Sequence, residues 1–589
     1  MELTPGALPK QERNCHEQSP IVRRISDLTP AEDAIRSAQR EILDPLLIEQ
    51  CKECPKPVWF TAFFDGTGNN FDLDGRGLKD VKLTKYSNIA KLWRFAHAED
   101  NAFPRTVARY VEGVGTPCDK VGDTGKGLDN ALGMAAARKG ELRIRWMLNE
   151  LDRHVTGHMP AVSQINLAVF GFSRGATEAR AFVRMLTEQL AENIGGRLWW
   201  NKKNMKGHRP EVVVYFLGIL DTVSSTGFGG SRVEAAGPAI ATIFFGPLAG
   251  GYLYSIDKGG HAEWANDIRI PGYVRQCVHY VASQEVREKF PGDSVREDQK
   301  IPANCREVYY PGMHSDVGGG YEHNYQEGRT NELANVALNN LYIEAWKAGV
   351  PFRSPKELLA DAGQQFEISR ELEAAWNVYM GQGGSKSAGV APNSDRLETQ
   401  VIWHMNRYYQ WRASRSRRLK DGRLKPPGGV DDHMVITDRE WNEDTDRLRH
   451  ANGGYLTVSV SEQEKAIDAA VRVAGNWLGS LDPATRATFD KFFDHYVHDS
   501  IAGFKKQMED GYVGPAEMSR WTVNRQYFMG KRGKKFLYWR YEGDKAEQAA
   551  TQIAKADPAR QQDPMAADEP QLASNQPVGG TLPDTTSTA

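Results

Sequence analysis

The sequence predicts an α/β fold: a mostly parallel sheet covered by helices, followed by a mainly helical C-terminal region. Three observations carry that expectation. Short apolar, β-rich runs at Val58–Phe64, Ile165–Phe170, Val212–Leu220 and Val308–Tyr310 are separated by stretches with helical spacing. The runs are nearly continuous in apolar residues, as strands covered on both faces must be. Two of them end in glycine-bearing turns, the punctuation of strand–loop–helix units.

The elements follow in chain order. Residues 1–56 read as a polar extension with one helix. Thr29-Pro-Ala-Glu32 is a capping box with proline at the first helical position. Ile35, Ala38, Ile42 and Leu46 then recur on one face, predicting that this face is buried. The α/β unit is expected at 57–350, a size suited to one large domain. Its helical stretches include Leu142, Ile144, Met147, Leu148 and Leu151 on a shared side. The glycine- and serine-rich stretch from Gly381 to Ser394 reads as a flexible break. Residues 351–542 are expected to form a mainly helical region that binds a membrane or a partner. Helices are predicted at about 357–380, 396–420 and 462–508, and a hairpin at Tyr527–Tyr541 turning at Gly530–Gly533. Gly543–Ala589 has no aromatic residue and is predicted to be disordered.

Charge narrows the choice of partners. Lys and Arg total 74 against 76 Asp and Glu, a net charge of -2. No global field is available to hold nucleic acid or an anionic bilayer, so any such contact must be local. Two basic clusters mixed with aromatics, Arg407–Lys425 and Arg525–Arg540, could meet headgroups at a membrane interface. Solvated charged faces are the plainer alternative, and nucleic acid is not the expected partner. Ala235–Tyr254 is uncharged and near spanning length, yet Gly237, Pro238, Gly246 and Pro247 interrupt it. It reads either as a buried loop or as an apolar flap that meets acyl chains. The amino terminus lacks the basic and apolar regions of a secretory signal. Six cysteines make no disulfide framework, and Cys51-Lys-Glu-Cys54 lacks the second half of a zinc pattern. Asp65, Asp72, Asp74 and Asp80 match no calcium-loop spacing. No metal or cofactor is expected.

The chemistry centres on Gly171-Phe-Ser173-Arg-Gly175, which lies between a predicted strand and a helix carrying Ala176, Ala179, Val183 and Leu186 on one side. Strand, G-x-S-x-G and helix together form the context of a nucleophile elbow, in which a tight turn exposes the serine. A second strand ends at Asp221-Thr-Val223, and a third is followed by the loop Pro311-Gly-Met-His314-Ser-Asp-Val-Gly-Gly-Gly320. Ser173, Asp221 and His314 thus stand in the order that α/β-hydrolases use for nucleophile, acid and base. His279, in an apolar pattern, is a second candidate base or a supporting residue. Asp316 could replace Asp221 but follows the histidine, so fixing the loop is its expected task. An oxyanion hole needs backbone N–H donors. Arg174 supplies the first, and Gly66 or Thr67, in the Asp65–Gly68 turn after the first strand, supplies the second. A simple Asp-Gly turn is the alternative there.

Taken together, Phe64-Asp-Gly-Thr-Gly-Asn69, Gly171-Phe-Ser-Arg-Gly-Ala176, Asp221-Thr-Val223 and His314-Ser-Asp-Val-Gly-Gly-Gly-Tyr321 resemble an α/β-hydrolase family. That family includes phospholipase effectors of the bacterial type VI secretion system, and the match is to the first lipase-effector family. It covers about residues 57–350, with an echo at Val497-His-Asp-Ser-Ile-Ala-Gly503. The resemblance implies a serine esterase of the phospholipase A type acting on membrane glycerophospholipids. It also implies a secretion spike or adaptor and a cognate immunity protein as partners. The implied route starts in the bacterial cytoplasm and ends at target-cell membranes, reached from the periplasm.

Overall fold

A computed structural model describes residues 20–44, 55–75, 84–97, 105–125, 133–224, 263–381, 397–425 and 481–500, apart from isolated positions, with short pieces at 434–442, 526–529 and 535–537. The segment 235–254, the Cys51–Cys54 pair and the tail 543–589 lie outside the described residues.

The sheet is built from β1 (Lys56–Phe64), β2 (Thr106–Val111), β3 (Val162–Phe172), β6 (Glu211–Leu220), β7 (Cys277–Ala282) and β9 (Cys305–Tyr310). They run parallel in the order β2-β1-β3-β6-β7-β9. A hairpin of β4 (Ala191–Ile194) and β5 (Arg197–Trp200) joins antiparallel to the start of β6. β1 shows why the strands read as continuous apolar runs. Val58, Phe60, Ala62 and Phe64 enter one core, while Trp59 and Phe63 enter the other. Both faces of the pleat are buried, so neither has room for polar alternation.

One core is capped by α4 (Gly133–His158) and α5 (Arg174–Gln189), with Ile144, Met147, Leu148 and Leu151 of α4 inside it. The opposite core holds α3 (Asn88–Arg94) and α7 (Leu333–Lys347). The short helices α2 (Phe71–Asp74) and α6 (His314–Gly318) meet this same core through Phe71 and Val317. The loop expected after β9 therefore begins with a single helical turn that His314 opens.

The first helix, α1 (Pro30–Leu43), has the expected capping box, with Glu32 N–H donating to Thr29 Oγ1. Its predicted buried face is reversed. Ile35 and Ile42 are 52% and 48% exposed, whereas Arg36 and Leu43 are buried. Arg36 lies 3.4 Å above the Trp346 ring and donates to the carbonyls of Trp346 and Val350. A planar cation over an aromatic ring, with its N–H groups satisfied, displaces the aliphatic face from the core.

The C-terminal region supplies α8 (Pro355–Ala362), α9 (Arg370–Met380), α10 (Leu397–Lys420) and α11 (Pro483–Lys491). The helix expected over 462–508 is broken. After α11 comes a wider turn at Phe492–Tyr496, and Val497 is extended. A hairpin is present where expected, β10 (Gln526–Met529) against β11 (Lys535–Leu537), with β10 also parallel to β8 (Gly292–Ser294).

The first part of the basic–aromatic cluster, on α10, is not a surface, whereas Arg417, Lys420, Arg423 and Lys425 farther along are exposed. Arg407, Tyr408, Tyr409, Trp411, Arg412 and Arg415 are all buried. Arg412 pairs with Asp438 at 3.2 Å and with Asp499, and Arg415 pairs with Asp438 at 2.8 Å. Arginines at helical spacing have found aspartates that are remote in sequence, so neither a headgroup-facing patch nor a solvated face is what these residues form. Nothing is described of the side chains in 525–540. No helix among the described residues is long and apolar enough to cross a membrane.

Candidate active site

In the strand order, β1 and β3 are neighbours whose following helices pack on opposite faces of the sheet, and sites in such sheets lie beyond the carboxyl ends of strands so placed. The predicted site residues gather at that edge. Ser173 follows β3, Asp65 follows β1, Asp221 follows β6 and His314 follows β9.

Ser173 has φ 58° and ψ -125°, a strained conformation for a residue with a side chain. Neighbouring strands impose it. Ser173 N–H donates to Leu220 O at 3.0 Å, and Val223 N–H donates to Ser173 O at 3.2 Å. The flanking glycines are needed for close approach. A Cβ at Gly175 would run into the carbonyl oxygens of Phe64 and Asp65, and one at Gly171 into the backbone of Gly175 and Ala176. The G-x-S-x-G spacing is thus the steric signature of α5 pressed against the ends of β1 and β3.

Asp221 also has positive φ, at 37°, and is fully buried. Its Oδ1 accepts from Ala282 N–H at 3.0 Å, and its Oδ2 lies 2.6 Å from His314 Nδ1. A carboxylate only accepts, so Nδ1 carries the proton and Nε2 is left with its lone pair. His314 is buried between rings, with the Phe172 centroid 4.6 Å away and that of Phe290 5.0 Å away. Burial holds its pKa below the usual 6.5, against the upward pull of Asp221. Among the described residues no hydrogen bond joins Ser173 to the imidazole, an open relation common before substrate binds.

His279 is placed differently. Its Nδ1 lies 2.9 Å from Glu307, and its Nε2 accepts from Thr222 N–H at 3.2 Å. Both nitrogens are engaged, so His279 buttresses the residue after Asp221 and has no lone pair to offer a serine. Asp316 does not approach Asp221's position either. It accepts from Met313 N–H at 2.9 Å and from His498 Nδ1 at 2.6 Å.

The turn after β1 carries a buried carboxyl group. Asp65 accepts from Gly66 N–H at 2.7 Å, Ser87 Oγ at 2.5 Å and Tyr110 OH at 2.5 Å. Burial pushes its pKa up to about 7 despite these bonds. Gly66 and Thr67 were the two residues of this turn expected to offer an oxyanion donor, and the Gly66 N–H is committed to Asp65. Arg174 Nη1 donates to Thr67 Oγ1 at 3.1 Å, tying the turn to the first residue of α5. That first residue's N–H lies at the positive end of the helix, where an anion is favoured. Among the described residues no group of three His, Cys, Asp or Glu is gathered as for a metal ion.

Several contributors are not legible as motifs. Ser87, Tyr110 and Glu307 sit in unremarkable sequence; strand pairing brings Tyr110 and Glu307 to the site, and Ser87 arrives as the residue that caps α3. His498 had a signal, the Val497–Gly503 echo, whose partner the sequence does not name.

A family profile and one solved structure agree with this architecture. The profile of the family described as type VI secretion system, phospholipase effector Tle1-like, catalytic domain matches residues 60–189 and 189–344. A crystal structure of an uncharacterized protein from Pseudomonas aeruginosa is similar with a TM-score of 0.57 at 18% identity, covering 87% of this chain and 84% of that one. It shares the fold. The Tle1 effector bound to the VgrG spike of the type 6 secretion system is similar with a TM-score of 0.36 at 17% identity, covering 59% of this chain and 83% of that one. No curated protein matches the sequence. The residues matched by the profile of Tle1-like phospholipase effector catalytic domains of the type VI secretion system, 60–344, are those that hold the strained serine and the histidine–carboxylate pair.

Proposed function

We propose that the protein is a serine esterase that cleaves acyl esters of membrane glycerophospholipids, a phospholipase of the A type. The observation that carries this reading is the His314 Nδ1–Asp221 Oδ2 contact of 2.6 Å at the sheet edge where Ser173 is held in its strained turn. In the proposed cycle Ser173 Oγ attacks the acyl carbonyl as His314 Nε2 takes its proton. The oxyanion is met by the N–H groups of Arg174 and Thr67. The same proton then passes to the leaving lysophospholipid oxygen as the acyl C–O bond breaks. Water, deprotonated by His314, releases the fatty acid and restores Ser173.

The decisive experiment is product analysis by mass spectrometry on phospholipids with different chains at the two positions, for wild type and Ser173→Ala. Free fatty acid and lysophospholipid from the wild type alone support the reading. Undiminished hydrolysis by Ser173→Ala overturns it, and turnover indifferent to lipid aggregates points to a soluble ester instead. The profile match also supports delivery into a rival cell on a secretion spike, with an immunity protein guarding the producer. Co-purification with each is the test.

A further inference from the structure

The segment Val497–Ser500 crosses the carboxyl edge of the sheet and takes hold of the loop that carries His314. Gln326 and the backbone of Asp499 exchange two hydrogen bonds of 2.8 Å, and Arg329 Nε donates to Val497 O at 2.7 Å. Ser500 Oγ donates to Glu285 at 3.2 Å, and the other oxygen of Glu285 accepts from His314 N–H at 3.3 Å. At the centre is His498, 1% exposed. Its Nδ1 lies 2.6 Å from Asp316 Oδ1, and its backbone N–H donates to Oδ2 at 3.1 Å. The same Oδ2 accepts from Met313 N–H, the residue before His314.

The identity of residue 498 needs a reason. The Tyr321 ring stacks on the imidazole at 4.0 Å, a place an apolar ring would also fill. His498 Nε2 is buried with no hydrogen-bond partner among the described residues, a cost that an apolar ring would avoid. What the imidazole adds is one charge-assisted N–H aimed at Asp316. Asp316 in turn bonds both backbone polar groups of Met313, the residue before His314, since its carboxylate accepts from Met313 N–H and its own N–H donates to Met313 O at 2.9 Å. We propose that His498 is a positioning residue: through Asp316 it fixes the turn Met313–Asp316 and so aims the His314 imidazole at Ser173. A pair of residues 182 apart in sequence thereby makes the C-terminal region part of the reaction centre. This rests on the serine-esterase reading above.

The test uses the full chain with a soluble short-chain ester, comparing His498→Ala, His498→Asn and Ser173→Ala. Asparagine can place an amide N–H where Nδ1–H stands, without the ring. His498→Ala is expected to lower kcat about tenfold to a hundredfold, the usual scale for a group that orients a reacting one, with KM little changed. His498→Asn is expected to recover most of kcat at an unchanged melting temperature. A folded His498→Ala with wild-type kcat overturns the proposal, as does a folded His498→Asn no faster than His498→Ala. If His498→Ala does not fold, His498→Asn decides, activity supporting the proposal and inactivity in a folded variant overturning it. Full activity in Ser173→Ala overturns the serine reading itself. Loss in Ser173→Ala with none in His498→Ala overturns only the positioning role.

Discussion

His314 Nδ1 stands 2.6 Å from Asp221 Oδ2, while Ala282 N–H holds the other Asp221 oxygen at 3.0 Å. The carboxylate therefore selects one tautomer of a ring whose burial already disfavours the charged form. A pKa held below the ordinary 6.5 means the base is neutral at pH 7 and is lost only as pH falls further. The acid limb of kcat/KM is expected to have its midpoint below 6.5. Asp221→Asn no longer enforces the tautomer and is expected to cost roughly a thousandfold or more in kcat. A pH–rate profile on a short-chain ester checks both.

Asp65 is a buried carboxyl group that accepts from Gly66 N–H, Ser87 Oγ and Tyr110 OH. Asparagine would put an NH2 group where one set of these donors points, which leaves a donor facing a donor. Asp65→Asn is expected to loosen the turn that offers Thr67 N–H and to lower kcat about tenfold to a hundredfold, with a smaller effect on KM. Labelling of Ser173 by a fluorophosphonate, which forms a similar oxyanion, is expected to slow in parallel. Unchanged labelling would remove Thr67 from the oxyanion site.

Glu178 lies on α5 one turn beyond Arg174, fully buried, with Oε2 lacking a hydrogen-bond partner among the described residues. Burial pushes its pKa up to about 8. In the unfolded chain it titrates near 4.5, so between those values the folded state holds a proton that the unfolded state has released. Its protonated form thus favours folding at low pH, and that contribution is lost as pH rises through about 8. Glu178→Gln keeps the shape and removes the titration. The melting temperature of the variant relative to wild type is expected to climb from pH 5 to pH 8 and then level off. A difference independent of pH would show that Glu178 carries no such penalty.

How much of this was readable in advance depended on whether a residue's partner lay near it in sequence. Ser173, Asp221 and His314 sit at strand ends that announce themselves by apolar runs and glycines, so their convergence followed from parallel topology alone. The strand β2 was harder to see, because Thr106–Val111 is an edge strand with Arg109 in it. The exposed face of α1 was misread because periodicity ranks isoleucine above arginine, while Arg36 had a tryptophan and two carbonyls waiting for it. The cluster on α10 failed in the same way. Its partners Asp438, Asp490, Asp494 and Asp499 are distant in the chain, and without them a run of arginines reads as surface. Gly66 was a fair donor until the adjacent Asp65 side chain was seen to turn back onto it.

The C-terminal region bears on the same question, because the sequence suggested a unit ending near residue 350 that could stand alone. One hydrophobic cluster runs from Ile25 through Phe63, Tyr310 and Leu341 to Trp376, Trp411 and Tyr496. Gln284 accepts from Gly312 N–H at 2.7 Å, in the catalytic loop, and donates to Tyr379 OH at 2.9 Å and to His404 O at 3.1 Å. Cutting after residue 350 would therefore expose a large apolar face and take from Gln284 its acceptors Tyr379 and His404, and from Asp316 its donor His498. Truncation is expected to give insoluble or unfolded protein, not a free esterase. Within the intact chain, Arg412→Ala is expected to cost about 3–5 kcal/mol, because it takes the paired arginine from the buried carboxylate of Asp499, while Asp438 keeps Arg415. Urea denaturation of Arg412→Ala, followed by both ester hydrolysis and tryptophan fluorescence, checks this. One coincident transition at lower urea is expected, and activity that outlives the fluorescence change would show that the two regions fold apart.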